Sequence, residues 1–147
     1  MKRSVFAAGL VALALGGGIM ATTAWAQADP VAQRKDEMKR ASAHLEAIKK
    51  ILDAGEPVGP IAARAEEMRG YYATLPSLFP PGSTENSKAL PSVWSDRAGF
   101  ERASATATEA AAKLAAAANS GDAATTATAF REMGASCGGC HRNYRGR

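Results

Sequence analysis

The sequence predicts an all-α protein, an antiparallel up-and-down four-helix bundle. Two observations predict this fold: four segments of the chain repeat apolar residues in steps of three and four, and no segment alternates with the period of a strand. All but one of the links between these segments are short, which favours antiparallel neighbours. We therefore expect four helices around a common core.

The first 26 residues have the pattern of a signal peptide. Lys2 and Arg3 precede an apolar run at 5–15, and Ala24-Trp25-Ala26 has the small residues of a cleavage site. The run is shorter than the about 20 residues that a spanning helix needs, although a retained N-terminal anchor stays an alternative. We expect a periplasmic protein of one domain, residues 27–147, with no membrane attachment after cleavage.

The charge of the mature chain is small. Removing Lys2 and Arg3 leaves 16 basic and 14 acidic residues, a formal charge of +2. No basic block is interleaved with aromatic residues, so no nucleic-acid partner is expected.

The first two helices have recognisable ends. The first is predicted from Asp29, a candidate N-cap followed by proline, to Gly55. The second is predicted to run from Pro60 to Pro76, with Gly70 as an unfavourable interior residue. A connection at 76–91 follows, longer than the usual helix link of about 2–8 residues, and this predicts a functional loop.

The third helix is predicted from Pro91 to Ala118 and is rich in alanine, which suits either close helix packing or a solvated face. The fourth begins after Asp122. Its inward stripe follows the helical period and is formed by Thr126, Phe130, Met133, Cys137, Cys140 with His141, and Tyr144.

The run Cys137-Gly138-Gly139-Cys140-His141 is the attachment signature of c-type haem. Residues three apart on a helix have Cβ atoms roughly 5–6 Å apart, which suits two thioether bonds to one haem. His141 can then supply the proximal iron ligand. A structural zinc site, a thioredoxin-like motif and an ordinary disulfide are weaker alternatives, because the chain lacks four clustered ligands and a strand pattern, and because a disulfide leaves His141 unexplained. We expect one covalent haem c inside the bundle.

These residues resemble the class II c-type cytochromes, the cytochromes c' and their low-spin, methionine-ligated relatives. The resemblance covers nearly the whole mature chain through four motifs: Arg34-x-x-x-Met38, Leu78-Phe79-Pro80, Leu90-Pro91-x-Val93-Trp94-x-Asp96, and Cys137 to Arg145. The position of the haem motif near the C-terminus selects this class.

The resemblance implies roles for residues outside the haem motif. Met38 takes the position that faces the iron and is expected to be the distal axial ligand, which places the chain in the methionine-ligated branch. The alternatives are that Met38 only fills the core, as we expect of Met68 and Met133, or that His44 ligates iron, although His44 is better explained as an exposed surface residue.

The remaining roles concern the periphery of the haem. Arg34 is expected beside a haem propionate, Thr84 and Glu85 at a haem edge, and Arg145 either at the haem or at the end of the last helix. The resemblance also implies a possible homodimer through the first helix.

The expected function is a periplasmic electron carrier with a His/Met-ligated iron that meets an unidentified redox partner protein. The alternative is a five-coordinate cytochrome c' that binds nitric oxide or carbon monoxide at an open distal iron site. An enzyme is not expected, because no distal pairing of histidine with arginine is seen.

Overall fold

The computed structural model describes residues 29–147, so the predicted signal peptide lies outside the described residues. The helices are α1 (Pro30–Ala54), α2 (Ile61–Thr74), α3 (Ser92–Ser95), α4 (Arg97–Ser120) and α5 (Ala123–Tyr144), with a 3-10 turn at Leu75–Leu78. The four long helices α1, α2, α4 and α5 form a four-helix bundle, which confirms the predicted fold. Between residues 29 and 147, no helix has the length and apolar character to cross a bilayer.

The predicted helix ends are confirmed for α1 and α5. The Asp29 carboxylate accepts a hydrogen bond from the backbone N–H of Val31 at 2.8 Å, and Gly55 ends α1 with φ of 65°. A left-handed φ at this position favours glycine. The Asp122 carboxylate accepts from the N–H of Thr125 at 2.6 Å and begins α5.

The third predicted helix is divided into two. Asp96 leaves the helical conformation, with φ of −118° and ψ of 56°, and separates the single turn of α3 from α4. Its Oδ1 atom accepts the N–H of Gly99 at 3.1 Å, while Oδ2 accepts the Tyr144 hydroxyl at 2.8 Å. An aspartate N-cap explains the break, because its side chain satisfies an N–H that has no partner within the helix.

The long connection is held by backbone hydrogen bonds at both of its ends. The 3-10 turn at Leu75–Leu78 carries the chain beyond Pro76, where the second helix was expected to end. At the other end, the N–H of Leu90 donates to the Tyr144 carbonyl at 3.0 Å, and Ala89 forms an isolated antiparallel bridge with Arg145. The connection is therefore fixed to the C-terminus of α5.

The core is concentrated where α2 and α5 pack on α4. The inward alanines of α4 are buried, and they allow close approach of the neighbouring helices; they are Ala107, Ala110, Ala111, Ala115, Ala117 and Ala118. Helix α1 packs less extensively, against α2 and the 3-10 turn.

Among the described residues, α1 and α5 have almost no contact with each other. Their inward apolar residues, including Met38 and Leu45 of α1 and Phe130 and Cys137 of α5, consequently stay half-buried. We call this sparsely packed boundary between the two helices the α1–α5 seam.

Candidate haem site

The three residues of the haem motif lie near the C-terminal end of α5. Cys137, Cys140 and His141 are each half-buried, and both cysteines carry free thiols. Met133, one turn before Cys137, is fully buried, and so is Thr126, so the predicted inward stripe of this helix is confirmed. Both cysteines pack against the core, and Cys140 also lines a cavity of about 560 Å³ between α4 and α5.

The electrostatic environment favours neutral forms of these groups. Burial lowers the pKa of His141, and the nearby Arg145 guanidinium lowers it further. A neutral imidazole keeps the lone pair that a metal ligand needs. Burial also raises the pKa of the Cys140 thiol, and Cys137 adds to this effect. The partial burial of these groups suits contact with an apolar porphyrin.

Two tyrosines of α2 form a wall of the site. The rings of Tyr71 and Tyr72 have centroids 5.1 Å apart, and the Tyr72 hydroxyl lies 3.9 Å from Cys137 Sγ. The Ser104 hydroxyl of α4 donates to the Tyr72 carbonyl at 2.5 Å and fixes this part of α2. Sequence reasoning placed one of the two tyrosines on the inward face, whereas the structure buries both.

The missing hydrogen-bond partner of the Tyr71 hydroxyl bears on whether the site fits a haem. Tyr71 is 8% exposed, yet its buried hydroxyl oxygen has no hydrogen-bond partner among residues 29–147. Buried polar groups nearly always have a partner, so this oxygen indicates that a group outside the chain completes the site. With the free thiols, the neutral imidazole and the α1–α5 seam, the residues present fit a covalent haem c.

The predicted distal residues lie on α1. Met38 is half-buried and packs against the core. The prediction of an exposed His44 is wrong: its side chain is 16% exposed, and Nε2 lies 3.1 Å from a Glu67 carboxylate oxygen of α2. This pairing explains why His44 turns toward α2. Met68 and Met133 are buried in the core as predicted.

Arg34 is the most extensively hydrogen-bonded side chain of α1. It is 4% exposed and lies over the Phe79 ring at 4.2 Å. Its two terminal nitrogens donate to the Leu78 carbonyl at 3.0 Å, the Ser83 hydroxyl at 2.9 Å, the Ser83 carbonyl at 2.6 Å and the Ser87 hydroxyl at 2.6 Å. Arg34 therefore anchors the long connection on α1.

The structure places Thr84 and Glu85, the predicted haem-edge residues, exposed on the connection. Sequence reasoning missed Ser83 and Ser87, which hold Arg34 from either side of this pair. The Gly82-Ser83 turn composition was the available signal. The propionate role of Arg34 and the haem-edge roles of Thr84 and Glu85 stay predictions.

A cavity of about 330 Å³ opens between α1 and α2. Glu37 and Ala41 line it from α1, and Tyr71 and Leu78 line it from the α2 side. Tyr71 therefore lines this cavity and also forms, with Tyr72, the wall of the site described above.

Comparison with known proteins gives a consistent family. The model of the family described as Cytochrome C' matches residues 29–145. A cytochrome c' of Rhodospirillum rubrum is 32% identical over 152 aligned positions that cover 99% of both chains. Cytochrome c-554 of Cereibacter sphaeroides is 45% identical over a shorter stretch, 58% of this chain and 59% of that protein.

Similar solved structures include two ligand complexes of cytochrome c prime from Alcaligenes xylosoxidans. One is a nitric oxide complex of a mutant and the other a variant with carbon monoxide bound. Each matches with a TM-score of 0.73 and 30% identity over 81% of this chain, and the match covers 94% and 95% of the two solved chains.

Proposed function

Because the chain belongs to the cytochrome c' family, we propose that it binds nitric oxide or carbon monoxide at the distal side of a haem iron. The observation that carries this proposal is the likeness to cytochrome c prime structures with these two gases bound, at 30% identity over 81% of the chain. The α1–α5 seam supports it, because α1 does not close against the helix that bears the haem motif.

The prediction of an electron carrier with a His/Met-ligated iron is wrong. Several relatives that match over most of this chain are cytochromes c', and the similar solved structures include nitric oxide and carbon monoxide complexes. A permanent histidine and methionine pair fills both axial positions of a haem, whereas a diatomic ligand needs one of them. The comparisons likewise give no support to the methionine-ligated branch.

Proteins of this family bind covalent haem c, and the cofactor of this chain is one haem c. We assign its thioether bonds to Cys137 and Cys140 and its proximal ligand to His141. The half-buried free thiols on one face of α5 support the first assignment, and the lowered pKa of His141 supports the second. When bound, the haem supplies an iron atom with a coordination position for the gas.

The chain itself controls access to that position. The family resemblance implies that Met38 lies opposite His141, and an incoming gas would then share the distal space with the Met38 side chain. Met38 is unbranched and flexible, which lets it move aside at low cost. The separate prediction that Met38 binds the iron is tested by none of these observations, and it forms no part of this proposal.

The setting and partners of the protein also stay proposals. Export to the periplasm after cleavage of residues 1–26 agrees with the signal pattern of the sequence. A homodimer through α1, a protein redox partner and the lack of a nucleic-acid partner are predictions from resemblance and composition. So is the prediction that the protein is not an enzyme.

A carbon monoxide titration of the reduced holoprotein tests the proposed function. We expect a high-spin oxidised spectrum and uptake of carbon monoxide after reduction. The variant Met38→Ala should bind the gas faster, because a smaller side chain leaves more distal space, while the control His44→Ala should bind as the wild type does. A low-spin oxidised spectrum with a near-infrared thioether-to-iron band, and carbon monoxide uptake by Met38→Ala alone, would overturn the proposal.

A further inference from the structure

One buried group at the site, the hydroxyl of Tyr71, has no role among the residues assigned above to hold the haem. The Tyr71 hydroxyl oxygen is inaccessible, and no hydrogen-bond partner for it lies within residues 29–147. An unpaired buried hydroxyl destabilises a fold, and a small domain does not ordinarily retain such a group without use.

On one side, Tyr71 borders the residues that attach the haem. Its ring centroid lies 5.1 Å from that of Tyr72, whose hydroxyl is 3.9 Å from Cys137 Sγ. The Tyr71 hydroxyl also senses Cys140 electrostatically, which raises its pKa. Tyr71 therefore packs against the residue whose hydroxyl lies beside Cys137.

On the other side, Tyr71 borders α1 next to the predicted distal residue. It shares the α1–α2 cavity with Glu37 and Ala41, the residues immediately before Met38 and three after it. Glu37 raises the pKa of Tyr71 and Arg34 lowers it, so the hydroxyl is within electrostatic reach of α1 at this level. Tyr71 thus borders α1 across this cavity, and it is connected to Cys137 through Tyr72.

The chemistry of this hydroxyl is that of a donor. Burial is the largest cause that raises the pKa of Tyr71, so the phenol stays protonated at any physiological pH. A neutral O–H can donate one hydrogen bond, and a gas molecule bound end-on presents its outer atom as an acceptor. In a poorly hydrated pocket such a bond is stronger than in water.

We propose that Tyr71 donates a hydrogen bond to nitric oxide or carbon monoxide bound at the distal side of the haem. This inference rests on the proposed function, since it names the residue that recognises the gas. Tyr71 would then be a ligand-binding residue that favours polar diatomic molecules and slows their release.

Infrared spectroscopy of the carbon monoxide complex tests the inference directly. A hydrogen bond to the bound gas lowers its C–O stretching frequency, so Tyr71→Phe should shift the band to higher wavenumber. Release should become about two- to tenfold faster, the range expected for loss of one ordinary hydrogen bond. The control Tyr144→Phe removes the hydroxyl of a tyrosine that is also 8% exposed but is already bonded to Asp96, and it should leave the band unchanged.

A stability measurement on the gas-free holoprotein gives an independent readout. Because the hydroxyl has no partner within the described chain, Tyr71→Phe should not lower the unfolding temperature, and added carbon monoxide should stabilise the wild type more than the variant. If both proteins bind carbon monoxide with the same band and the same release rate, the inference fails while the proposed function stands. A shifted haem reduction potential with an unchanged band would also overturn it, because it would place the hydroxyl on a propionate. If neither protein binds the gas, the proposed function fails, and the inference that rests on it fails as well.

Discussion

Arg34 is a buried cation whose hydrogen bonds go to carbonyl and hydroxyl oxygens rather than to a carboxylate. Burial lowers its pKa, Asp29 counters that effect, and four donor contacts to Leu78, Ser83 and Ser87 offset the loss of hydration. The planar fork of a guanidinium makes this many contacts possible, whereas an ammonium has three donors on one atom.

We expect Arg34→Lys to destabilise the protein by about 1.5–3 kcal/mol, the range for hydrogen bonds to a charged group, because lysine cannot reach all three residues of the connection. Chemical denaturation of the holoprotein measures this change. The control Arg40→Lys alters an exposed arginine of the same helix that is paired with Glu37, and its effect should stay within about 0.5 kcal/mol. Equal effects of the two substitutions would show that the Arg34 contacts contribute nothing specific.

Substitution by alanine is expected to have opposite effects on stability at two helical glycines. A Cβ at Gly99 would collide with the Asp96 carboxylate and the Tyr144 hydroxyl, whereas a Cβ at Gly70 would meet nothing within 4 Å. Gly70→Ala should therefore stabilise α2 by about 0.5–1 kcal/mol through helix propensity alone, and Gly99→Ala should destabilise the protein. Thermal unfolding of both variants checks the signs. A stabilising Gly99→Ala would mean that the contact of Asp96 with Tyr144 is easily displaced.

At the scale of the elements, the junction of α3 and α4 is fixed by the end of α5. Asp96 accepts the Tyr144 hydroxyl and the Gly99 N–H, and these two bonds hold the pKa of its carboxyl below the usual range. The Ser92 hydroxyl adds a bond to the Asn143 carbonyl at 2.6 Å. The haem-bearing end of α5 is thus attached to the start of α4.

The lowered pKa of Asp96 predicts a pH-dependent stability. A carboxyl whose pKa is depressed in the folded state contributes stability above its unfolded pKa of about 3.9 and loses it as pH falls through the folded value. The stability difference between wild type and Asp96→Asn should therefore be full near neutral pH and shrink below about pH 4. Denaturation curves from pH 7 to pH 3 measure it. In a Tyr144→Phe background the difference should be smaller at neutral pH, and an unchanged difference there would contradict the role of Tyr144.

At the scale of the whole molecule, α1 is the least attached of the long helices. It packs on α2 and the 3-10 turn but scarcely touches α5 in the described chain, so a haem in the α1–α5 seam would supply its missing packing surface. A helix with few buried contacts opens more readily than the rest of a domain.

Removing haem attachment should therefore affect α1 more than the other helices. In Cys137→Ala/Cys140→Ala, amide hydrogen exchange in the middle of α1 should accelerate about tenfold or more, while α4 amides change less, because α4 keeps its packing on α2 and α5. Exchange measured by mass spectrometry on both proteins compares the helices within one sample. Equal acceleration in α1 and α4 would mean that the haem stabilises the bundle as a whole.

Much of the fold and of the haem motif could be predicted because the signals are local. The caps Asp29 and Asp122 act on N–H groups two and three residues away, and the haem motif spans five consecutive residues. The contacts of Arg34 with Ser83 and of Asp96 with Tyr144 join residues 49 and 48 positions apart, and no local sequence pattern predicts them.

Function was harder to predict than fold for a related reason. The choice between an electron carrier and a gas-binding protein depends on what occupies the distal side of one iron atom. A methionine at helical spacing is compatible with a ligand, a core residue or a movable side chain, and its residue type alone does not distinguish them. Similarity to gas-bound structures supplied that distinction.

The most direct test of gas binding is a crystal structure of the reduced holoprotein saturated with carbon monoxide. We predict haem attached to Cys137 and Cys140, His141 on one face of the iron, and the gas on the opposite face within hydrogen-bond distance of the Tyr71 hydroxyl. Met38 sulfur on the iron in place of the gas would contradict this account.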